Sequence, residues 1–441
     1  MLAAVVAARL AARPSLLGYH GRMFVRITGF VRGLRAFPRQ FWVLTGGIFI
    51  YVGAAALAFP FEAIYLRQNL HTSMTMIGVV FGLVPLAVMP LQFWGGQLTD
   101  RLGRRRVIML SVLIGVVWFV GFAFVTRLWQ VAALVALESA FGWPLFQTAS
   151  NAMIADLLPP EKRQEGFGVT RAAMNFGVVV GPVLAAQALG LGVTYRTLFL
   201  SAATGCAFMV VMMAIWIRES RPASATQRVR HADGQGRSGY RRVLHDRVFI
   251  VFCLAAVLPV FCIGNFGSIY AVYITSFLGV PSSEWAYLLT LNALIVVAVQ
   301  IPLVTALRRR NRMILLAVSS GLLALGIGGS AFAGPLWSLV ILIIVMSLGE
   351  TLLSPVASAE VADLAPEAVR GRYMGVWTVV WNGGAALGPA FGGFAMDHVG
   401  GRQAFVALLV VGLAGTVAFL ALAPGWRRRR TAKAAEARAT T

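Results

Sequence analysis

Four ionisable side chains stand out within long apolar stretches of this chain, Glu62, Glu138, Arg171 and Glu350, whereas Glu360, Asp156 and Asp363 lie toward the ends of theirs. Charge at membrane depth is costly, and where it occurs it marks an ion or substrate path by default. A carboxyl removed from water is pushed toward its neutral, protonated form, and a nearby cation pushes it back. Such a group can take up a proton and give it back, which links proton movement to a second event. Glu138 lies about 10 residues into the stretch 128–157, and Glu350 14 residues into 336–364. At a helical rise of about 1.5 Å per residue, both fall near mid-depth. Glu62 lies near the outer end of its stretch, within reach of water. Arg171 lies just inside another, with Asn175 one turn on along the same face. Glu350, Glu138, Glu62, Arg171 and Asn175 are therefore the candidate coupling residues.

The elements that carry these groups follow from composition. The chain of 441 residues is 59% hydrophobic and 12% charged, against about 45–50% and about 25% for soluble domains. Apolar stretches of about 20 residues, enough to cross a hydrocarbon core of about 30 Å, recur throughout. Twelve are expected as membrane spans: 41–66, 74–98, 106–126, 128–157, 167–190, 197–217, 248–278, 284–307, 313–333, 336–364, 372–396 and 403–423. Several exceed a simple span and must tilt, kink or project. Strand alternation is absent, which speaks against a β-barrel. The expected fold is an all-α membrane protein with twelve transmembrane helices in two pseudo-symmetric six-helix bundles.

The formal net charge is +22, a value that could suggest nucleic acid. Its placement argues otherwise. With the N-terminus inside, 33 of the 38 Lys and Arg fall in inside segments, and Arg67, Arg127, Arg196 and Arg402 fall outside. This positive-inside asymmetry sets both termini in the cytoplasm of a multi-pass protein of the plasma (inner) membrane. The basic charge reads as topology and attraction to anionic lipid. Cys206, Cys253 and Cys262 all lie in apolar stretches, with neither metal nor disulfide spacing. His20, His71, His231, His245 and His398 lie in loops or ends without ligand spacing, and no phosphate-cradling Gly-x-x-x-x-Gly-Lys loop occurs. No enzyme, cofactor or metal is expected. A basic lead-in starts at Met23, which makes Met23 a second candidate for the start of translation beside Met1.

Residues 218–247 are polar and carry scattered Gly, Ser and Pro, and they read as a linker. The expected organisation is a basic N-terminal segment 1–40, a bundle 41–217, the linker 218–247, a second bundle 248–423 and a basic tail 424–441. The two bundles repeat one another. At an offset of 207 residues, NAMIADLLPPEKRQEGFGVTRAAMNFGVVVGP (151–182) aligns without gaps with SAEVADLAPEAVRGRYMGVWTVVWNGGAALGP (358–389). Asp156/Asp363, Pro159/Pro366, Arg163/Arg370, Asn175/Asn382, Gly177/Gly384, Gly181/Gly388 and Pro182/Pro389 coincide. Chance matches in apolar sequence give Leu and Ala, not these residues in register. Parallel six-helix halves related by an axis along the membrane normal describe one transporter architecture. The acids break the repeat: Glu138 aligns with Val345, and Glu350 with Trp143.

Between the second and third spans runs GGQLTDRLGRRR, 95–106. Its pattern, Gly-x-x-x-Asp-Arg-x-Gly-x-Arg-Arg, resembles the loop-2/3 signature of the major facilitator superfamily at Gly96, Asp100, Arg101, Gly103, Arg105 and Arg106. GVVVGP resembles the Gly-Pro motif of that superfamily's drug:proton antiporters, here Gly177, Gly181 and Pro182, repeated as Gly384, Gly388 and Pro389. The resemblance covers 41–423 and points to the multidrug-resistance branch. It implies that Asp100 and Arg105 latch the two halves on the cytoplasmic side, with Asp156 as a local partner, and that the Gly-Pro faces seal the interface between the halves. The corresponding loop of the second half, RRRNR at 308–312, has neither Asp nor Gly, so the latch is expected to be asymmetric. Many drug antiporters carry an arginine in span 4; VALESAFGWP offers Glu138 instead. Trp118, Trp143, Phe146, Tyr270, Tyr273, Trp377 and Trp381 are candidates to line an apolar cavity. The expected function is proton-coupled efflux of hydrophobic or amphipathic small molecules by a monomer, with substrate, protons and bilayer as partners and no nucleic acid. Import of a small organic solute, or a sensor that kept the fold and lost flux, stay open.

Overall fold

The structure, a computed structural model, describes residues 37–220, 243–307, 310–366 and 369–439. The expected segment 1–40 lies outside the described residues except for its last four, as does most of the linker 218–247. Among the described residues the chain is helical and holds no strand. Eleven helical stretches are long and apolar enough to cross a membrane: α1 (Arg39–Asn69), α2 (Met74–Leu91), α3 (Arg104–Phe124), α4 (Leu128–Leu157), α5 (Pro160–Gly190), α6 (Tyr195–Trp216), α7 (Arg247–Tyr270), α8 (Ser282–Leu307), α9 (Arg312–Phe332), α10 (Leu336–Leu364) and α12 (Gly401–Trp426). The helix α11 (Arg370–His398) has 29 residues but is not one of the eleven. Its glycines, tryptophans and Asn382 dilute the apolar content that earlier helices have. The backbone helix of α12 runs on to Ala439, so the described part of the expected tail continues the last helix, as its Ala, Arg and Lys favour.

Several helices are interrupted, some at a proline, whereas Pro182, Pro259, Pro302, Pro355 and Pro389 lie inside continuous helices. Proline removes a backbone donor and clashes with the preceding turn. Pro60 sits in a 3₁₀ turn, Phe59–Phe61, inside α1. α2 passes through a π turn at Val79–Leu83 and a 3₁₀ turn at Met89–Trp94 before a short helix, Gly95–Leu102. α4 breaks at Gly142, just before Pro144. α7 ends in a π turn, Phe266–Tyr270. Such turns rotate the helix faces beyond them.

Packing sorts the helices into two sets that match the sequence repeat. α1 packs on α5 and α6, α3 on α4 and α6, and α2 on α4; later in the chain α7 packs on α11 and α12, α9 on α10 and α12, and α8 on α10. Two seams join the sets: α5 lies on α8, and α2 lies on α11. In lipid, apolar side chains gain little by leaving the bilayer, so close backbone approach at small residues supplies much of the association. Gly177 and Gly181 of α5 meet Gly53 and Ala56 of α1. On α11, Gly384 meets Val260, Gly388 meets the Phe261 carbonyl, and Gly392 meets Asn265, all on α7.

Candidate functional site

A cavity of about 890 Å³ opens between α1, α2, α3, α4 and α11. Its wall is mostly apolar and aromatic: Tyr51, Ala55 and Phe59 from α1, Phe81, Pro85, Leu86 and Met89 from α2, Gly115, Trp118 and Phe119 from α3, and Val135, Trp143 and Pro144 from α4. The polar groups are few. Glu138, Ser139 and Gln147 come from α4, and Thr378 and Asn382 from α11, beside Ala385 and Ala386. An apolar wall with a small set of convergent polar groups is the usual form of a small-molecule site.

Glu138 owes its position to the break in α4. The Gly142 N–H still reaches the Glu138 carbonyl at 2.8 Å, but the next N–H, on Trp143, donates to the Glu138 carboxylate Oε1 at 3.1 Å. The carboxylate thus caps the second half of the broken helix, as a side-chain acceptor does at a helix start. A Cβ on residue 142 would meet the end of that side chain and displace the carboxylate. The second oxygen, Oε2, is buried and has no hydrogen-bond partner. One oxygen fixes the group and the other has its lone pairs unused.

Glu62 does not reach water, contrary to the expectation for the end of a span. It is 1% exposed, because Pro60 turns the chain and starts a new helical segment at Glu62 that points its side chain inward. Trp118 Nε1 donates to its Oε1, and its Oε2 is buried without a partner. Glu62 does not line the cavity, but the ring that lines the cavity is bonded to it.

Glu350 lies elsewhere. Its Oε2 accepts from Asn292 Nδ2 of α8 at 2.9 Å, and the same amide donates to Ser347 Oγ at 3.0 Å. It sits at the α8–α10 seam and is not a lining residue. The two mid-depth acids therefore do not share the cavity. Arg171 is exposed and Asn175 half-buried on α5; neither lines the cavity, whereas the repeat partner of Asn175, Asn382, does. Of the candidate aromatics, Trp118 and Trp143 line the wall. Phe146, Tyr270, Tyr273 and Trp377 are buried in helix packing, and Trp381 packs edge-on against Trp377.

The loop motif is held at its own end of the first set. The backbone at Gly96, and the helix that carries Asp100, are described, but the Asp100 side chain lies outside the described residues. Gly103 has φ +92°, a conformation that favours glycine, and a Cβ there would strike the Glu219 carboxylate. Glu219, just past α6, accepts from Arg104 N at 2.8 Å and Arg105 N at 3.3 Å, and so caps α3. Arg105 Nη2 donates to the Ala214 carbonyl at 2.7 Å. Asp156 pairs with Arg104, Nε to Oδ2 at 3.1 Å, while Arg101 and Arg106 are exposed. These partners belong to α4 and α6, not to the second set of helices. The second half has its own version: Arg312 pairs with Asp363 at 2.6 Å and Glu360 at 3.0 Å, and Glu360 also accepts from Trp426. RRRNR has no Asp, yet the pair Arg104–Asp156 has an equivalent in Arg312–Asp363.

The Gly-Pro segments face different partners in the two halves. Gly177 and Gly181 close the α5–α1 contact inside the first set, not a seam between sets. Gly384 and Gly388 do the same between α11 and α7. Pro389, however, presents its carbonyl to Gly78 of α2, across the seam.

The family model described as Major Facilitator Superfamily matches residues 43–318 and 254–440. The chain belongs to the major facilitator superfamily. It is similar to the uncharacterized MFS-type transporter YqjV of Bacillus subtilis, 26% identical over 380 residues, 85% of this chain and 91% of that one. It is similar to the multidrug resistance protein MdtH of Salmonella typhimurium, 25% identical over 88% of this chain and 94% of that one. It is similar to a Na(+), Li(+), K(+)/H(+) antiporter of Planococcus maritimus, 23% identical over 76% and 84%. Among solved structures, the nucleoside transporter NupG superposes with a TM-score of 0.72 at 15% identity, over 87% of this chain and 99% of that one. The peptide transporter POT in complex with sulfate superposes at 0.70 and 16%, over 89% and 95%. These two structures share the fold. The chain is thus a multi-pass membrane transporter for a small-molecule substrate, and not an enzyme.

In this transporter, sequence reading missed Tyr51, Gln147 and Asn382 on the cavity wall and Arg104 and Glu219 at the loop. Asn382 carried a signal, its place in the repeat, whereas nothing singled out Arg104 among the arginines of its loop. Gly78 and Gly82, spaced to face one way on α2, also carried one. Tyr51 and Gln147 carried none beyond their polarity.

Proposed function

We propose that this transporter exports hydrophobic or amphipathic small molecules, chiefly cationic ones, in exchange for protons. The observation that carries this reading is the Glu138 carboxylate in an apolar, aromatic cavity, with one oxygen fixed by Trp143 N–H and the other unpartnered. The free oxygen holds either a proton or the cationic end of a substrate, and a buried site cannot hold both charges at once. Occupation by one expels the other as access alternates between the two sides. Aromatic faces at Tyr51, Trp118 and Trp143 bind the apolar body of the substrate and favour a cation near the rings. Asn382, from the opposite set of helices, reaches the substrate's polar groups. The multidrug and cation/proton antiporter relatives support this direction.

The arrangement we propose is of twelve spans in two six-helix bundles, 41–217 and 248–423, joined by the linker 218–247. α11 crosses as the twelfth, its glycines shielded by α7 and α2. The basic segments 1–40, 218–247 and 424–441, with the loop 100–106, face the cytoplasm across the inner membrane. Asp100 and Arg105 latch the cytoplasmic side when it closes, and the Arg105 guanidinium leaves the Ala214 carbonyl to do so. The cavity is complete within one chain, so the working unit is a monomer. Glu350 and Asn292 form a second protonatable station at the α8–α10 seam, Glu62 a reserve carboxylate behind Trp118, and Arg171 with Asn175 a polar face on α5. The test is uptake of a lipophilic cation into proteoliposomes under an imposed pH gradient. Gradient-driven movement by the wild type and its loss in Glu138→Gln are expected. No gradient-driven flux across a panel of cationic, neutral and sugar substrates rules out the exchanger reading.

A further inference from the structure

The contacts that bind α2 to α11 gather at the end of the molecule away from the arginine loop. We propose that Asp397 is a clasp that holds this end shut, and that its release from the start of α2 is a required step of transport. Asp397 lies at the end of α11, beyond the expected span 372–396. Its carboxylate accepts from Met74 N at 3.1 Å, Thr75 N at 2.7 Å and Thr75 Oγ1 at 2.7 Å. The two N–H groups belong to the first turn of α2, which has no acceptor within its own helix. The carboxylate also meets the positive end of that helix, and hydrogen bonds to an ionised acceptor are the strong kind.

The bond is not needed to start α2. Ser73 already accepts from Met76 N in the ordinary capping manner. Asp397 is a second cap, supplied from more than 300 residues away and from the other set of helices. Below it the two backbones interlock. Gly393 lies on the Met74 carbonyl, Gly78 on the Pro389 carbonyl and Gly82 on the Ala386 carbonyl. Further down the same pair of helices, Phe81 and Pro85 of α2 and Asn382 and Ala386 of α11 all line the cavity. The clasped seam therefore forms the cavity's ceiling, and a substrate passes this end only when α2 and α11 part. Tyr195 and Ser282 share a hydrogen bond between α6 and α8 at the same end, which places a second tie across the α5–α8 side. Asp397 touches no cavity residue, so it acts through the position of α2.

The experiment places spin labels at Leu191→Cys, after α5, and Val399→Cys, after α11, on the full chain in liposomes. Both positions are exposed. Distances are measured together with transport. Loss of the charge in Asp397→Asn is expected to raise the ratio of long to short distances about tenfold, the size of a lost charge-assisted hydrogen bond. Asp397→Glu is expected to keep most of the short population. Gly78→Ala, which leaves the charge in place and pushes α2 off Pro389, is expected to shift the distances the same way. Thr75→Val, which removes one donor of three, is expected to give a smaller shift. Wild-type distances in Asp397→Asn, or in Gly78→Ala and Thr75→Val together if Asp397→Asn does not insert, overturn the proposal. So does a loss of transport with unchanged distances.

Discussion

Trp118 presents its ring to the cavity that Glu138 lines and donates its indole N–H to Glu62, which is buried behind it. A single side chain thus forms the wall between two carboxylates, one at the cavity surface and one in the packing. The wall keeps its orientation because the buried acceptor fixes it. Removing the donor leaves Glu62 with no partner, and an unsatisfied buried polar group costs roughly 1–3 kcal/mol.

That relationship gives a stability prediction. Trp118→Phe keeps an aromatic ring and deletes the N–H, and it should lower thermal stability in detergent by the amount just given. Glu62→Gln keeps an acceptor oxygen for Trp118 and removes the charge, and it should unfold within a few degrees of the wild type. Equal losses in the two variants would show that the hydrogen bond does not hold the ring.

The glycines of α5 differ in what surrounds them. A Cβ at Gly177 would lie 2.9 Å from Gly53 N and the Phe49 carbonyl, and one at Gly181 2.7 Å from Ala56 Cβ and the Gly53 carbonyl. Gly168 has nothing within 4 Å of such a Cβ. Gly177→Ala and Gly181→Ala should each destabilise by about 1–3 kcal/mol, the cost of overpacking. Gly168→Ala should be neutral or stabilise by roughly 0.5–1 kcal/mol, as helix propensity predicts. Thermal unfolding in detergent reads both, and a loss at Gly168 as large as at Gly181 would contradict the packing account.

The paired arginines offer a test of the repeat. Arg104 with Asp156 is largely buried, and Arg312 bridges Asp363 and buried Glu360. Double-mutant cycles with Arg104→Gln and Asp156→Asn, and with Arg312→Gln and Asp363→Asn, should each give a coupling of about 1 kcal/mol or more, within the range for contacting pairs. Additive effects in either cycle would show that the pair is not maintained in the membrane.

Legibility in the sequence depends on range. The helices were legible because an apolar run of span length has few other fates, but of the prolines inside them only some, such as Pro60 and Pro144, lie at breaks. Asp156 and Asp363 were legible as a pair because duplication kept them in register. The surroundings of each buried acid were not legible. Glu138 is aimed by the break at Gly142, Glu62 by the turn at Pro60, and the face of α2 by the π turn at Val79–Leu83. Each break rotates the next helical segment by an amount that periodicity does not give, so equal depth could not show that Glu138 lines the cavity while Glu350 meets Asn292 between α8 and α10. Asp397 and Thr75 meet across 322 residues, and no local pattern joins them.

The clasp also has a pH sign. Burial pushes the Asp397 carboxyl up, but donation from the Thr75 N–H, the Thr75 hydroxyl and the Met74 N–H, with Arg67 facing it from α1, outweighs that and holds it below the ordinary aspartate value. A carboxylate held low contributes stability that is present above its unfolded value and lost only as pH falls through the lowered one. The clasp should therefore stay closed between pH 8 and pH 5. His398 is adjacent and His71 precedes α2, so the distance between labels at 191 and 399 is best tracked with His71→Asn and His398→Asn in place. A transition inside that window would contradict the clasp's assignment to Asp397.

The central claim is that Glu138 exchanges a proton for the substrate's cation. Its most direct measurement is proton release on substrate binding, read by a pH indicator in weakly buffered detergent with a lipophilic cation. The account predicts close to one proton released per cation bound by the wild type near neutral pH, and none by Glu138→Gln, which should still bind a neutral analogue of the same shape. Equal release from the wild type and Glu138→Gln would contradict it.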